Sequence, residues 1–405
     1  MRRLRRAFVG YPLKAAMIAR RRLVALLSTL PPVQLARHKQ ALRAQLAAAE
    51  VVVSRLRPQV MVIAEDNVEY DTAAWIRAGH SSGAATVIVP FTIATALEPA
   101  ESYKDSRAHS AASLRNRAFA RDHPHWVYVH EGRPLLRVPA PQARALEDLG
   151  LAPPRPWAHN SGHADRIAVE SEAMLRHYLA QGLRPEVLAV TGAPSDDVLA
   201  AGRADAEPVK ARIRSERRLP PDAPIVLCAF PPDQVSGGRA DCEYAGYREL
   251  AAAWLECLGQ LRGCVVLVTL HPRTRAAGLP VPLPAGVEVS TEETLALVPY
   301  CDVFVASVSA TIRWAIACGI PVVNYDVYRF RYRDYSDVPG TLTVETRKEF
   351  EATLSRLTLD RDYLANVAGQ QRAVANYWGL VDGRGFERIR ALLYESAQRH
   401  RTPAS

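Results

Sequence analysis

The sequence predicts an α/β protein built from two doubly wound parallel sheets, and three observations carry that expectation. Short apolar runs such as Val60–Ala64, Ile225–Phe230 and Val265–Leu270 recur along the chain and are separated by helical stretches. Strands buried on both faces and joined by helical crossovers have this pattern. The run Val303–Ala306 is followed at once by Ser307, Ser309 and Thr311, then by a helical segment that stops at Gly319 with Pro321 beyond it. Glycine just past a helix end, with proline after it, is a stop signal. The run Val265–Leu270 ends in His271-Pro272. Both turns fall on the carboxyl edge of a sheet, where open α/β folds bind ligands.

The elements follow in order. A basic segment, residues 1–49, reads as helical. It holds eleven Arg and Lys and no Asp or Glu, so the remaining chain carries about −2 of the formal +9. A charge confined to one end, with no zinc spacing, helix-turn-helix or aromatic RNA motif, argues against a nucleic-acid partner. Its longest apolar run, Leu23–Leu27, is far too short to span a bilayer. Residues 1–22 read equally as an amphipathic helix on an anionic membrane surface or as a solvated helix on the first domain.

Residues 50–205 form the first domain. Val60–Ala64 ends in Glu65-Asp66-Asn67, a helix runs from about Thr72 to His80, and Thr86–Pro90 is the next strand, ending in Phe91-Thr92. Residues 95–125 read as helical, and Pro139–Trp157, with its repeated prolines, as an ordered loop. Strands recur at Arg166–Glu170 and Val187–Thr191, with a helix between them and another starting near Ser195. A charged segment with Pro208, Pro220, Pro221 and Pro224 leads into the second domain, residues 206–383. Its strands are Ile225–Phe230, Val265–Leu270, Val287–Ser290, Val303–Ala306, Pro321–Asn324 and Thr341–Val344. Residues 384–405 are a helix and tail. The two sheets are expected to face a central cleft.

All six cysteines lie between Cys228 and Cys318, none in a C-x-x-C pair. They read as reduced thiols of a cytoplasmic protein. No metal site is expected.

Ser307, Ser309 and Thr311 offer hydroxyls and backbone N–H groups to an anion, although Ser309 alone is also a natural helix N-cap. His271 offers a ring N–H, supported by Arg273 or Arg275. The loop Ser290–Glu293 follows the next strand, and Gly237-Gly238 is a weak glycine-rich turn. Together these suggest one phosphate-bearing ligand between two adjacent loops. Asp66 and Glu65 end a strand and are candidate bases or capping acids; Glu98 and Glu101 are further candidates, and His80 reads as structural.

The stretches Asp165–Glu172 and Val190–Asp197, the latter ending a strand in Gly-x-Pro followed by Asp, join His271-Pro272, Ser307-x-Ser309 and Gly379–Arg384 in resembling the GT-B superfamily. These are two-Rossmann-domain glycosyltransferases that share their fold with UDP-N-acetylglucosamine 2-epimerases. The likeness covers roughly residues 58–395. A narrower one is to transferases using CMP-activated sialic acid or Kdo, where an acidic pair, a His-Pro pair and a Ser/Thr-rich loop occur in this order. Asn67 stands where those carry Gly. The resemblance implies an inverting transfer from a nucleotide-sugar to a cell-surface polysaccharide or lipid-linked glycan, at the inner face of the membrane, with no cofactor. It implies Asp66, then Glu65, as catalytic base, with His271, Arg273, Ser307, Ser309 and Thr311 at the donor phosphate and Glu293 beside the nucleotide base. An epimerase or hydrolase on the same fold and a non-catalytic binding protein are the alternatives.

Overall fold

The structure, a computed structural model, describes residues 30–90, 95–235 and 242–401. The basic segment 1–22, Phe91-Thr92 and Gly237-Gly238 lie outside the described residues. The chain divides into two compact units. Among the described residues, the first holds 30–61, 65–86 and 95–164, and the second holds 62–64, 87–90, 165–235 and 242–401.

The first unit opens with helix α1 (Pro31–Leu56), whose two leading prolines occupy the positions where a missing N–H costs nothing. Strand β1 (Val60–Ile63), helix α2 (Thr72–Ser81) and strand β2 (Ala85–Ile88) follow, the last two residues of each strand counting with the second unit. Ala49 and Val53 of α1 pack on Ala78 of α2. Residues 95–125, expected to be helical, hold only α3 (Leu97–Tyr103) and α4 (Arg117–Asp122), with turns between. An antiparallel hairpin that periodicity did not show follows, β3 (Val127–His130) with β4 (Arg133–Leu136). The proline-rich stretch after it is a helix, not a loop, at α5 (Ala140–Asp148). Pro139 sits at its N-cap and Pro141 in its first turn, so both prolines start the helix rather than break it. Trp126, Leu136, Ala143 and Leu146 close a core between hairpin and helix.

In the second unit, β5 (Arg166–Val169), α6 (Glu172–Ala180), β6 (Leu188–Val190) and α7 (Pro194–Ala204) alternate as expected. The sheet order is β1-β2-β5-β6, with β2, β5 and β6 parallel. The charged segment expected to be a linker is mostly helix α8 (Ala206–Glu216). Its Pro208 again falls in the first turn, where it is tolerated.

Six parallel strands then form the larger sheet: β7 (Ile225–Phe230), β8 (Val265–Leu270), β9 (Val287–Val289), β10 (Val303–Ala306), β11 (Val322–Tyr325) and β12 (Thr341–Val344). Their order is β12-β11-β10-β7-β8-β9. The chain runs outward from β7 through β8 to β9, returns to the other side of β7, and runs outward again through β10, β11 and β12. The four inner strands, β11, β10, β7 and β8, are buried on both sides, and their side chains alternate between two cores. Val303 and Val305 meet Trp254, Tyr325 and Phe350 on one face. Phe304 and Ala306 meet Ile312, Ile316 and Val322 on the other. Helix α9 (Tyr247–Gly259) supplies Trp254, stacked on Tyr325 at 4.8 Å between ring centroids.

Two short helices, α10 (Pro272–Ala277) and α11 (Thr294–Leu297), follow β8 and β9. Helix α12 (Ile312–Ala317) follows β10, its Ile312, Ala315 and Ile316 fully buried as their spacing predicted. After β12 come α13 (Arg347–Leu359), α14 (Arg361–Trp378) and α15 (Gly385–Arg401). The sequence predicts only the last of these three. The signal for α13 was present: Thr346 and Glu349 form a reciprocal capping box.

Candidate functional site

The reversal of strand order at β7 leaves a crevice at the carboxyl edge, the place where doubly wound sheets bind ligands. A cavity of about 230 Å3 occupies it. The end of β7 contributes Phe230 and Pro231, the end of β8 contributes His271, and the turn after β10 contributes Ser307, Ser309 and Thr311. Glu293 and Thr294 close one side. His271 and the serine turn were expected on adjacent loops. In the structure β7 lies between their strands, and its end forms the floor that they share.

The turn after β10 is strained. Val308 has φ 45°, a left-handed conformation that β-branched residues rarely adopt. Its N–H donates to the Asn324 side-chain oxygen at 2.9 Å. Asn324 ends its β11 pairing opposite Ala306, so one buried amide holds the turn from the neighbouring strand. With Val308 pinned, the hydroxyl of Ser307 is buried and has no hydrogen-bond partner among the described residues. A buried hydroxyl left unpaired is costly and is an acceptor or donor waiting for a ligand. Ser309 is not the N-cap: that position belongs to Thr311, and the Ser309 hydroxyl accepts the Thr311 N–H at 3.3 Å and meets its hydroxyl at 2.9 Å. Since α12 has six residues, its dipole is short, and the hydroxyls rather than the helix end are what this edge offers an anion.

His271 is half-buried, and its Nδ1 accepts the Arg273 N–H at 3.2 Å. That bond puts the ring proton on Nε2 in the neutral imidazole, leaving Nε2–H as a donor. Burial, and then the charge of Arg273, lower its pKa from the ordinary value, so the neutral ring is the form at pH 7. Arg273 is exposed and does not line the cavity. Arg275 pairs with Glu293 at 3.2 Å. Thr269, buried on β8, meets Thr294 hydroxyl to hydroxyl at 2.7 Å and extends the polar wall.

A second cavity, of about 380 Å3, shares Thr311 and Trp314 with the first. Sequence reasoning missed its polar residues. Arg313 is buried. It donates to Asp196 at 2.9 Å and to Ser195 at 3.0 Å, and Asp196 also accepts the Leu380 N–H at 3.1 Å. Glu170, the last residue of the predicted strand, is 3% exposed. Burial pushes its carboxyl up to about 7, against the pull of Arg313 and with a small further push from Asp196. A strand ending in a carboxylate was the only sequence signal for it.

The acidic pair lies in the first unit. Asp66 is buried, and its backbone exchanges hydrogen bonds with Asn160, at 2.8 Å from the Asp66 N–H and 3.0 Å to the Asp66 carbonyl. Gly162 makes room for the carboxylate: a Cβ there would fall 1.6 Å from Asp66 Oδ2. Burial raises Asp66 to about 6, while the charge of His163 and a hydrogen bond from the Gly162 backbone pull it down. Glu65 is half-buried, faces His159 at 3.1 Å and is raised by burial. The two carboxylates therefore sit in different surroundings, as expected of neighbours on an extended chain. Asp66 is not a helix cap, since Asp71 holds the N-cap position of α2.

 Arg137 is buried, and it is held by Glu69, Tyr103 and Asn67. Of the other carboxylate candidates, Glu98 is exposed, and Glu101 pairs with Lys104 and His130. His80 meets the Thr86 hydroxyl at 3.0 Å.

All six cysteines are free thiols, three of them fully buried. Among the described residues no helix is long and apolar enough to cross a membrane. Glu101, His130 and Glu131 bring three ligand-type atoms together, but the Lys104 ammonium already lies against both carboxylates.

No family model matches the chain, and no curated protein matches it. Solved structures do. The glycotransferase of kitacinnamycin is 14% identical with a TM-score of 0.50, over 90% of this chain and 83% of that one. The S. aureus MnaA–UDP co-structure is 14% identical with a TM-score of 0.50, over 87% and 80%. A wall teichoic acid polymerase is 14% identical with a TM-score of 0.43, and the chain spans 60% of its length. At these identities the likeness concerns the fold, and the fold of this chain is of the GT-B type.

Proposed function

We propose that this chain is a glycosyltransferase that takes a sugar from a nucleotide-sugar and passes it, with inversion, to a surface polysaccharide or lipid-linked glycan. One observation carries the reading: His271, Ser307, Ser309 and Thr311, from two distant stretches, line one cavity at the strand-order reversal, where the Ser307 hydroxyl is buried and unpaired. A donor phosphate fits that chemistry. The His271 Nε2–H and the hydroxyls donate to its oxygens, and these bonds strengthen as the phosphate leaves with negative charge. Glu293, paired with Arg275 at the cavity's side, borders the nucleoside in this reading. Arg273 acts through its backbone, which orients the imidazole.

Asp66 is the proposed base. In an inverting step the acceptor oxygen bonds to the anomeric carbon, the bond from that carbon to the phosphate oxygen breaks, and the acceptor proton passes to a carboxylate. A carboxylate near 6 is ionised at neutral pH and is a better proton acceptor than an ordinary one. Glu65 is the second choice. No metal or cofactor is part of the reading, and the partners are a nucleotide-sugar and a glycan acceptor, with residues 1–22 as the proposed contact to an anionic membrane surface.

Calorimetric titration with UDP, CDP, CMP and GDP tests the donor site. One of them is expected to bind, and His271→Ala to weaken it about tenfold, the loss of one charge-assisted hydrogen bond. Asp66→Asn is expected to keep that binding and lose sugar transfer. If no nucleotide binds, or if binding is unchanged in His271→Ala, the phosphate assignment is wrong. Product analysis separates transfer from epimerisation or hydrolysis.

A further inference from the structure

The cavity beside the phosphate site is built differently from it. Val89, Pro90, Pro194 and Trp314 give it apolar walls, and Glu170, Ser195 and Arg313 give it a few converging polar groups. Arg313 is already committed to Asp196, to Ser195 and to the Trp378 carbonyl at 3.2 Å. Glu170 is not: its Oε2 is buried and has no hydrogen-bond partner among the described residues. A buried carboxyl oxygen without a partner is an expensive feature that a ligand hydroxyl would relieve. Charge selects the ligand further. Arg313 and Asp196 offset one another, and burial favours the neutral form of Glu170, with Arg313, Asp196 and Tyr335 as the charged or titratable groups that act on it. Glu170 is the one carboxyl group that lines the cavity, and the Arg313 guanidinium is already paired with Asp196, so neither an anion nor a cation meets an uncompensated opposite charge here.

We propose that this second cavity holds a neutral, hydroxyl-bearing ring, the sugar attached to the phosphate next door, and that Glu170 bonds one of its hydroxyls. A ring with C–H faces and O–H edges suits apolar walls carrying few polar groups. The shared wall of Thr311 and Trp314 places such a ring one side chain away from the phosphate. The inference rests on the nucleotide-sugar reading above, but it concerns residues that reading does not use.

The experiment compares matched pairs on the full chain: UDP with UDP-glucose, CDP with CDP-glucose, and GDP with GDP-mannose. For the base that binds, the sugar is expected to add affinity. Glu170→Ala is expected to weaken the nucleotide-sugar about tenfold while leaving the bare diphosphate within about twofold. Glu170→Gln, which keeps the shape and a hydrogen-bonding group, is expected to retain most of the preference. Ala310→Leu, on an exposed residue that lines the same cavity, fills the space without touching a buried polar group. It is expected to reproduce the selective loss, and it carries the test if Glu170→Ala does not fold. Binding of no diphosphate sinks the nucleotide-sugar reading and this inference with it. A bound diphosphate whose sugar adds nothing, or variants that weaken both members of a pair equally, overturns this inference alone.

Discussion

The side-chain oxygen of Asn324 accepts the N–H of Val308 at 2.9 Å, so that β11 holds the strained turn between Ser307 and Ser309. Asn324→Leu removes the acceptor and leaves a part-buried N–H unpaired, a cost of about 1–3 kcal/mol. It is expected to lower the melting temperature and to weaken nucleotide binding by misplacing both hydroxyls. Asn324→Asp keeps an acceptor and is expected to lose less of either. Val308→Gly relieves the left-handed strain and is expected to leave stability unchanged or slightly higher, while binding weakens because the turn is no longer confined. Thermal melts and titration on the same preparations measure both quantities.

Arg313 and Asp196 form a fully buried ion pair, and Asp196 also caps two backbone N–H groups, of Ala193 and Leu380. Removing one partner strands the other. Asp196→Ala is expected to destabilise by about 3–5 kcal/mol, and Arg313→Met by a similar amount. Urea unfolding of the single and double variants gives their coupling. A double variant whose loss equals the sum of the two single losses would mean that the pair does not act as a unit.

Asp66 links stability to pH. Its pKa is raised from 3.8 to about 6 in the folded chain, chiefly by burial. The folded state therefore holds the proton more tightly than the unfolded state does. The stabilisation is fully present below about pH 4 and is lost as pH rises through about 6, on the order of 3 kcal/mol in all. Asp66→Asn is expected to remove this slope and to be more stable than the parent at pH 8. If Asp66 is the base, the same variant loses transfer. A parent and variant with parallel stability profiles between pH 4 and 7 would contradict the buried-carboxylate account.

His271 is expected to act as a neutral donor. Its lowered pKa means that nucleotide affinity should stay flat above about pH 6.5. Affinity that falls steeply between pH 6.5 and 8 would point to an imidazolium instead. Titration at several pH values, with His271→Ala as the baseline, decides between them.

Much of the second sheet was legible in the chain itself. Val265–Leu270 and Val303–Ala306 are apolar throughout because parallel strands are covered on both faces, and Gly319 marks a helix end by its own backbone preference. Proline is a poor loop signal in this chain. Pro139, Pro141 and Pro208 instead start helices, a role that depends on position within the element rather than on composition.

Local sequence determined which residues end strands: His271, Ser307, Asp66 and Glu170 were all visible as residues at or just after an apolar run. Only the tertiary structure decided what surrounds each one. Strand order put β7 between the histidine and serine turns and made its end their floor. Long-range packing brought Arg313 to Asp196, closed the space around Glu170 and folded Gly162 over Asp66. Propensity and periodicity act over a few residues, whereas burial, pairing and the pKa shifts they cause arise between segments more than a hundred residues apart.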